Sequence, residues 1–295
     1  MIITPTIVSL REGIEIALIL AIMLSYLRGT KQQELKRYVY GGVLLALVSS
    51  ITISFVLGVI WGIFEGPALS LFEGSMVLFA ALLLTTMILW MWQTGSGIAS
   101  EIEESMEQHM LVKSGIGLLL LSFALILREG VELVLFTTAL VIQEGIITYL
   151  GIAIGLSIAF VIGVLMYAGS VRISMKKLFN WTSVLLVLFA AGMVAYGIHE
   201  LQEAGLLLIG PLELWNINPP LLPDGSYPLL HENGLIGGLA KSLFGYNGNP
   251  SALELVGYIS YLAIVSLYYI WHKNYKTIKV VSSHTENPEH VQAIH

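Results

Sequence analysis

Arg11-Glu12-Gly13-Ile14-Glu15 interrupts the apolar stretch 4–27, and Arg128-Glu129-Gly130-Val131-Glu132 interrupts the stretch 114–138 in the same pattern. Each copy puts three ionisable side chains where a membrane helix ordinarily has none. A charged residue at a helix centre costs about 2.5–3.5 kcal/mol on insertion scales. Six unpaired ones would cost roughly 15–20 kcal/mol together. A chain that carries this burden twice, in one pattern, handles something charged inside the membrane.

The surrounding composition supports a membrane setting. Hydrophobic residues make up 56% of the 295 and charged residues only 12%, against about 25% charged in soluble domains. Mean hydropathy is +0.81. The first apolar stretch has no basic region before it and contains the first motif, so it reads as a retained helix rather than a signal peptide. Cysteine is absent, which excludes disulfides and thiolate metal sites. A bound metal would have oxygen or imidazole ligands.

About 20 apolar residues cross a bilayer as a helix. Seven stretches qualify: 4–27, 39–62, 68–92, 114–138, 146–169, 179–203 and 252–272. Thr4-Pro5 reads as an N-cap followed by proline in the first turn, and Pro67 opens the third span. Gly58/Gly62 and Gly151/Gly155 are small-xxx-small pairs suited to close helix packing. Eleven of the 14 basic residues fall on one side of this arrangement, Lys241 alone on the other, and Arg11 and Arg128 within it. The positive-inside rule then puts the N-terminus outside and the C-terminus in the cytoplasm.

Three matches relate the first three spans to the next three. The charged motifs are one. Phe55-Val-Leu-Gly-Val-Ile60 with Phe160-Val-Ile-Gly-Val-Leu165 is the second, and Val77-Leu-Phe-Ala-Ala81 with Val187-Leu-Phe-Ala-Ala191 is the third. A repeat of three helices enters the membrane from opposite sides in its two copies, an arrangement that places a transporter's substrate site near the midplane. The expected fold is therefore an all-α polytopic membrane protein with a three-plus-three inverted repeat and a peripheral seventh helix. Its parts are repeat one (1–92), a cytoplasmic linker (93–113), repeat two (114–205), an outer loop (206–251) and the seventh helix (252–272). Together they form a transmembrane domain over 1–275, followed by a polar cytoplasmic tail, 276–295, whose His284, His290 and His295 read as plain polar residues.

On a helix, Arg11, Glu12 and Glu15 share one broad face, as do Arg128, Glu129 and Glu132. Gly13 and Gly130 remove bulk beside them. Two facing motifs carry four carboxylates and two guanidinium groups, a net charge of −2. Hard cations prefer such oxygen ligands. The expected site is a carboxylate cage for a metal ion, with the arginines as counter-charges, since a guanidinium cannot coordinate a cation. The competing reading is a pair of structural ion-pair clamps. It leaves one glutamate per motif without an arginine.

Arg-Glu-Gly-hydrophobic-Glu, once in the first span and once in the fourth, resembles the oxidase-dependent iron permease family of fungal and bacterial high-affinity iron importers. His199-Glu-Leu-Gln-Glu203, Leu243-Phe-Gly-Tyr246 and Asn249-Pro250-Ser251 are also similar to that family. The resemblance implies seven helices, iron import, and Glu12, Glu15, Glu129 and Glu132 as iron ligands or relays, with Arg11 and Arg128 alongside. It implies ferric iron as cargo, delivered from an oxidation step, and an extracellular ferroxidase or iron-delivery protein as partner. No permanently bound cofactor, catalytic residue or nucleic-acid partner is expected; the partners are iron and membrane lipid. Carboxylates alone do not decide metal identity, so ferrous iron, lead or manganese stays open as cargo. A lipid-phosphate hydrolase is a rival of another class, but the serine- and arginine-rich phosphate loop it requires is missing from the sequence.

Tyr196, His199, Glu200 and Glu203 share one face of the sixth span near its outer end. They read as a metal-gathering site ahead of the cage, with a polar interfacial cap as the alternative. Glu65, Glu73, Glu144, Glu213, Asp224, Glu232 and Glu254 make the outer side acidic, which concentrates cations weakly. The acidic linker Glu101–His109 reads as a solvated amphipathic helix in preference to an inner iron-receiving site. The long outer loop either covers a vestibule or docks the partner.

Overall fold

The computed structural model describes residues 2–94, 102, 104–108, 115–168, 175–222 and 225–285. Glu101, Glu103 and His109 of the acidic linker, together with Asp224, His290 and His295, all part of the sequence reading, lie outside the described residues. No strand occurs among those described. The main helices are α1 (Ile3–Gly29), α2 (Lys36–Trp61), α3 (Pro67–Thr94), α4 (Gly115–Glu144), α5 (Thr148–Tyr167), α6 (Met175–Glu203), α7 (Leu235–Phe244) and α8 (Ala252–Thr285).

Five of them, α2, α3, α5, α6 and α8, are long and apolar enough to cross a membrane. The expected count was seven. α1 and α4 miss that apolar standard because each holds its charged triad centrally, although at 27 and 30 residues both are long enough to cross. α1 starts at Ile3 with Ile2 as its N-cap residue and no side-chain cap, so Thr4 is not the cap and Pro5 sits inside the first turn. Pro67 is the first residue of α3, as expected.

α1 packs on α5, α2 on α4, and α3 on α6, while α1 and α4 meet each other at the centre. Glycine permits these close approaches. A Cβ on Gly13 would lie 2.5 Å from Ala159 Cβ on α5, and one on Gly130 would collide with Ser50 Oγ on α2. Gly151 and Gly155 press against the α1 backbone near Ile2 and Thr6. Gly58 has nothing within 4 Å, so the expected packing face at Gly58/Gly62 is open instead. The stretch around it is apolar and outward: Phe55 is 71% exposed, and its counterpart on α5, Phe160, is 72% exposed. Apolar side chains of this size face outward where the surrounding medium is lipid.

Two apolar clusters fill the interior. One joins Val8 of α1 to Val77, Ala80 and Leu84 of α3, to Phe136, Ala139 and Leu140 of α4, and to Leu186, Phe189 and Met193 of α6. The other joins Ile19, Met23 and Leu27 of α1 to Val39 and Ala46 of α2, to Leu118 and Ile126 of α4, and to Ile102 and Met106 of the linker. The start of α1 therefore lies with the end of α4, and the end of α1 with its start. The two helices run antiparallel. Residues 11–15 and 128–132 fall between the clusters, halfway along both helices.

In two segments the structure adds helix to the sequence reading. α8 continues through Thr285, so residues 276–285, the start of the polar tail, are helical. Glycine is absent from Lys273–Thr285 and the next proline is Pro288, so nothing breaks the helix sooner. The connection from α6 to α8 is folded and contains α7. Gly245, at φ +68°, ends α7 in the left-handed conformation and abuts Gly192 of α6 too closely for either to bear a Cβ. Backbone bonds from Leu214 N to Pro250 O and from Ile217 N to Gly248 O, both 2.9 Å, close the connection on itself.

Candidate metal centre

The antiparallel crossing of α1 and α4 brings three carboxylates together. One oxygen each from Glu12, Glu15 and Glu129 lies within 4.8 Å of the others, and all three residues are buried. Glu132, the fourth motif glutamate, is outside that group and pairs instead with Arg128 Nε at 3.1 Å. The Arg128 Nε to Glu129 Oε1 distance is 3.9 Å. In the other motif Arg11 Nη1 is 3.5 Å from Glu12 Oε1, and Nε is 3.3 Å from Glu15 Oε1.

The repeated sequence suggests equal arginines, and the structure makes them unequal. The Arg11 side chain is 1% exposed and that of Arg128 49% exposed. Arg11 Nη2 donates to Met91 Sδ, and the Arg128 guanidinium lies 5.1 Å over the ring of Trp90. Both contacts come from α3. Nothing in the sequence reading singled out Trp90 or Met91, because each reads as apolar filler in a span.

Glu12 Oε2, Glu15 Oε1, Glu129 Oε2 and Glu132 Oε2 are buried with no hydrogen-bond partner. The 3.3 Å ion pair at Glu15 Oε1 lacks hydrogen-bond alignment. Buried unpartnered oxygens are costly, and a cation seated among them would satisfy several at once. A cavity of about 390 Å³ runs from Glu15, Glu129, Arg128 and Trp90 to Ile102, Glu104 and Gln108 of the linker. Ile102 and Met106 are buried in the apolar cluster while Glu104 and Gln108 are exposed, so this stretch is amphipathic as expected. It also forms part of the cavity wall.

The second candidate group, at the end of α6, is arranged differently. His199 Nδ1 is 3.0 Å from Glu254 Oε1 of α8 and Nε2 is 3.3 Å from Glu203 Oε1, so the two ring nitrogens face different carboxylates. Glu200 is buried, its Cβ close behind Gly74 of α3. His199, Glu200 and Glu203 are neighbours without converging on one point as the carboxylates at the α1–α4 crossing do. Glu254 has a helix-capping role: Ser251 N donates to its Oε1 at 3.2 Å and its own N donates to Ser251 Oγ at 3.1 Å. The Ser251-Ala-Leu-Glu254 spacing signals that reciprocal cap in the sequence. Asn247 Nδ2 donates to Glu254 Oε2 at 2.8 Å. Near this group Lys241 Nζ is 3.6 Å from Glu232 Oε1. Partial burial pushes the Glu232 carboxyl up, but Lys241, the Gly248 N–H and Asn218 outweigh it and hold it below the ordinary carboxylate range.

A model of the iron permease FTR1 family matches residues 3–278. An uncharacterized protein of Archaeoglobus fulgidus is 34% identical over 264 residues, 87% of this chain and 90% of that protein. The ferrous iron permease EfeU of Escherichia coli O157:H7 is 32% identical over 261 residues, covering 88% and 91% of the two chains. EfeU of Yersinia pestis is 31% identical over 261 residues, covering 88% and 89%. No solved structure matches the chain.

Proposed function

Because the chain belongs to the iron permease FTR1 family, whose members are transporters and not enzymes, we propose that it imports iron through the midplane carboxylates. It is a multi-pass membrane protein. The observation that carries the reading is the meeting of Glu12, Glu15 and Glu129, with unpartnered oxygens, between two apolar clusters. Glu132, paired with Arg128 at 3.1 Å, is the fourth carboxylate. His199, Glu200 and Glu203 gather the ion at the extracellular end before it reaches the centre. Iron is the cargo here and not a resident group.

α1 and α4 complete seven spans in this account, their charges tolerated because the carboxylates and Arg11 are buried where the two helices meet and Arg128 pairs with Glu132. The helix pairing supports an inverted repeat. Exchanging the first three helices with the next three turns the α1–α5 contact into α4–α2 and leaves α3–α6 and α1–α4 unchanged. The N-terminus is outside and the C-terminus in the cytoplasm. The transmembrane domain then covers 1–275, and the folded connection between α6 and α8 caps the extracellular end, where a ferroxidase or iron-delivery protein would dock.

An all-oxygen ligand set suits a hard cation, and ferric iron, the hard ion that the family resemblance implies, is the proposed cargo. The relatives named ferrous iron permeases favour a second reading, in which the ion enters as ferrous iron. Uptake of radiolabelled iron into proteoliposomes, offered as a ferric chelate or as ferrous iron under reductant, decides between them. Faster saturable uptake from the ferric form supports the first reading. Uptake only under reductant supports the second, and uptake of neither refutes iron import.

A further inference from the structure

α3, whose one ionisable residue is Glu73, carries neither motif, yet this helix touches both motif arginines. It does so through consecutive residues, Trp90 and Met91. Neighbours on a helix project about 100° apart, so the pair reaches one guanidinium from α1 and another from α4. Trp90 also packs on Met87 and Met91, which steadies the ring.

An arginine among free carboxylate oxygens would ordinarily close a two-pronged pair, using both oxygens of one carboxylate. Neither motif arginine does. Arg128 gives one hydrogen bond to a carboxylate, from Nε to Glu132, and lays its flat face on Trp90. Arg11 gives one, from Nη1 to Glu12, and turns Nη2 to the Met91 sulfur. Oxygens of Glu12, Glu15, Glu129 and Glu132 are left unpartnered as a result.

We propose that Trp90 and Met91 are positioning residues of the iron site, holding the guanidinium groups of Arg128 and Arg11 against α3 so that carboxylate oxygens stay open to the cation. The inference rests on the iron-import reading above. The arginines contribute charge without occupying the ligands. If the Trp90 face is weakened, Arg128 swings onto Glu129 and Glu132 and competes with the ion. The KM for iron then rises. If the Met91 sulfur is removed, Arg11 does the same at Glu12 and Glu15.

The test uses the full chain in proteoliposomes, with Trp90 replaced by tryptophans of one to three ring fluorines through nonsense suppression. Fluorine drains the negative charge of the ring face that attracts a cation while scarcely changing ring shape, so folding is preserved and a mere packing role is unaffected. The KM for iron should rise stepwise, reaching about two- to fivefold when the cation–π attraction is spent. Norleucine at Met91, a methylene in place of sulfur, should raise KM in the same direction. A KM that is flat across the fluorine series, with normal uptake by the unaltered protein, overturns this inference alone. Absence of uptake by the unaltered protein overturns the iron-import reading and this inference with it.

Discussion

Arg11→Gln and Arg128→Gln make the same chemical change in the two copies of the motif, and they should have very different consequences for folding. Arg11 is buried, with Glu12 and Glu15 at 3.5 and 3.3 Å and both carboxylates buried beside it. Removing one partner from a buried ion pair costs about 3–5 kcal/mol, because the remaining charge loses its compensation. Arg128 is half exposed, and Glu132 is its closest carboxylate at 3.1 Å. Solvent screens that pair, and exposed pairs contribute about 0.2–1 kcal/mol. Adding the tryptophan contact, about 0.5–1 kcal/mol at an exposed site, still leaves Arg128→Gln the milder change. The assay is equilibrium unfolding in mixed micelles of dodecyl maltoside and SDS, followed by circular dichroism. Arg11→Gln should move the midpoint severalfold further than Arg128→Gln. Equal shifts, or a larger one for Arg128→Gln, would refute the claim that burial makes the two arginines unequal.

Three other outcomes follow from the packing, the topology and the connection between α6 and α8. Gly13→Ala should destabilise the protein by about 1–3 kcal/mol, as overpacking does, since its Cβ would sit 2.5 Å from that of Ala159. Gly58→Ala, with open space around it, should stabilise by about 0.5–1 kcal/mol through helix propensity; the same micelle titration reads both. In this cysteine-free chain, Ser226→Cys should react with an impermeant thiol reagent on intact cells, and Gln32→Cys only after permeabilisation; the reverse pattern inverts the proposed orientation. Glu232 has a depressed pKa in the folded protein. Its contribution to holding the connection is therefore complete above the ordinary carboxylate pKa and is lost as pH falls through the lower folded value. Limited proteolysis around residues 225–234 should be constant from neutral pH down to the carboxylate range and accelerate below it, and Glu232→Gln should remove that step.

Five apolar spans were legible because apolar length is a one-dimensional property, and the charged motifs were legible because they violate it. Pairing of the helices was legible only through small residues, and that signal is ambiguous: Gly151 and Gly155 do pack on α1, whereas Gly58, with the same spacing to Gly62, faces open space. Identical motifs gave no hint that Arg11 would be buried and Arg128 half exposed, since that depends on which side of each helix α3 occupies. Trp90 and Met91 carried no signal for the same reason: their partners are 38 and 80 residues away in the chain. The His199–Glu254 contact joins α6 to α8 across 55 residues and was equally invisible. The Ser251–Glu254 cap was readable and went unread. α7 was hidden by the glycines Gly237 and Gly238 inside it, which lower helix propensity until packing on α6 compensates.

The central claim is that iron crosses through the carboxylates where α1 and α4 meet. Its most direct test is radiolabelled iron uptake into proteoliposomes by the unaltered protein and by the triple variant Glu12→Gln, Glu15→Gln, Glu129→Gln. Glutamine keeps the shape and removes the charge, but it leaves the buried Arg11 without its two carboxylates, so the two proteins are compared at equal amounts of folded, inserted protein, checked by circular dichroism and gel filtration. The account predicts saturable uptake by the unaltered protein and, for the triple variant, only the background of empty vesicles. Uptake by the folded triple variant at the unaltered rate would contradict it.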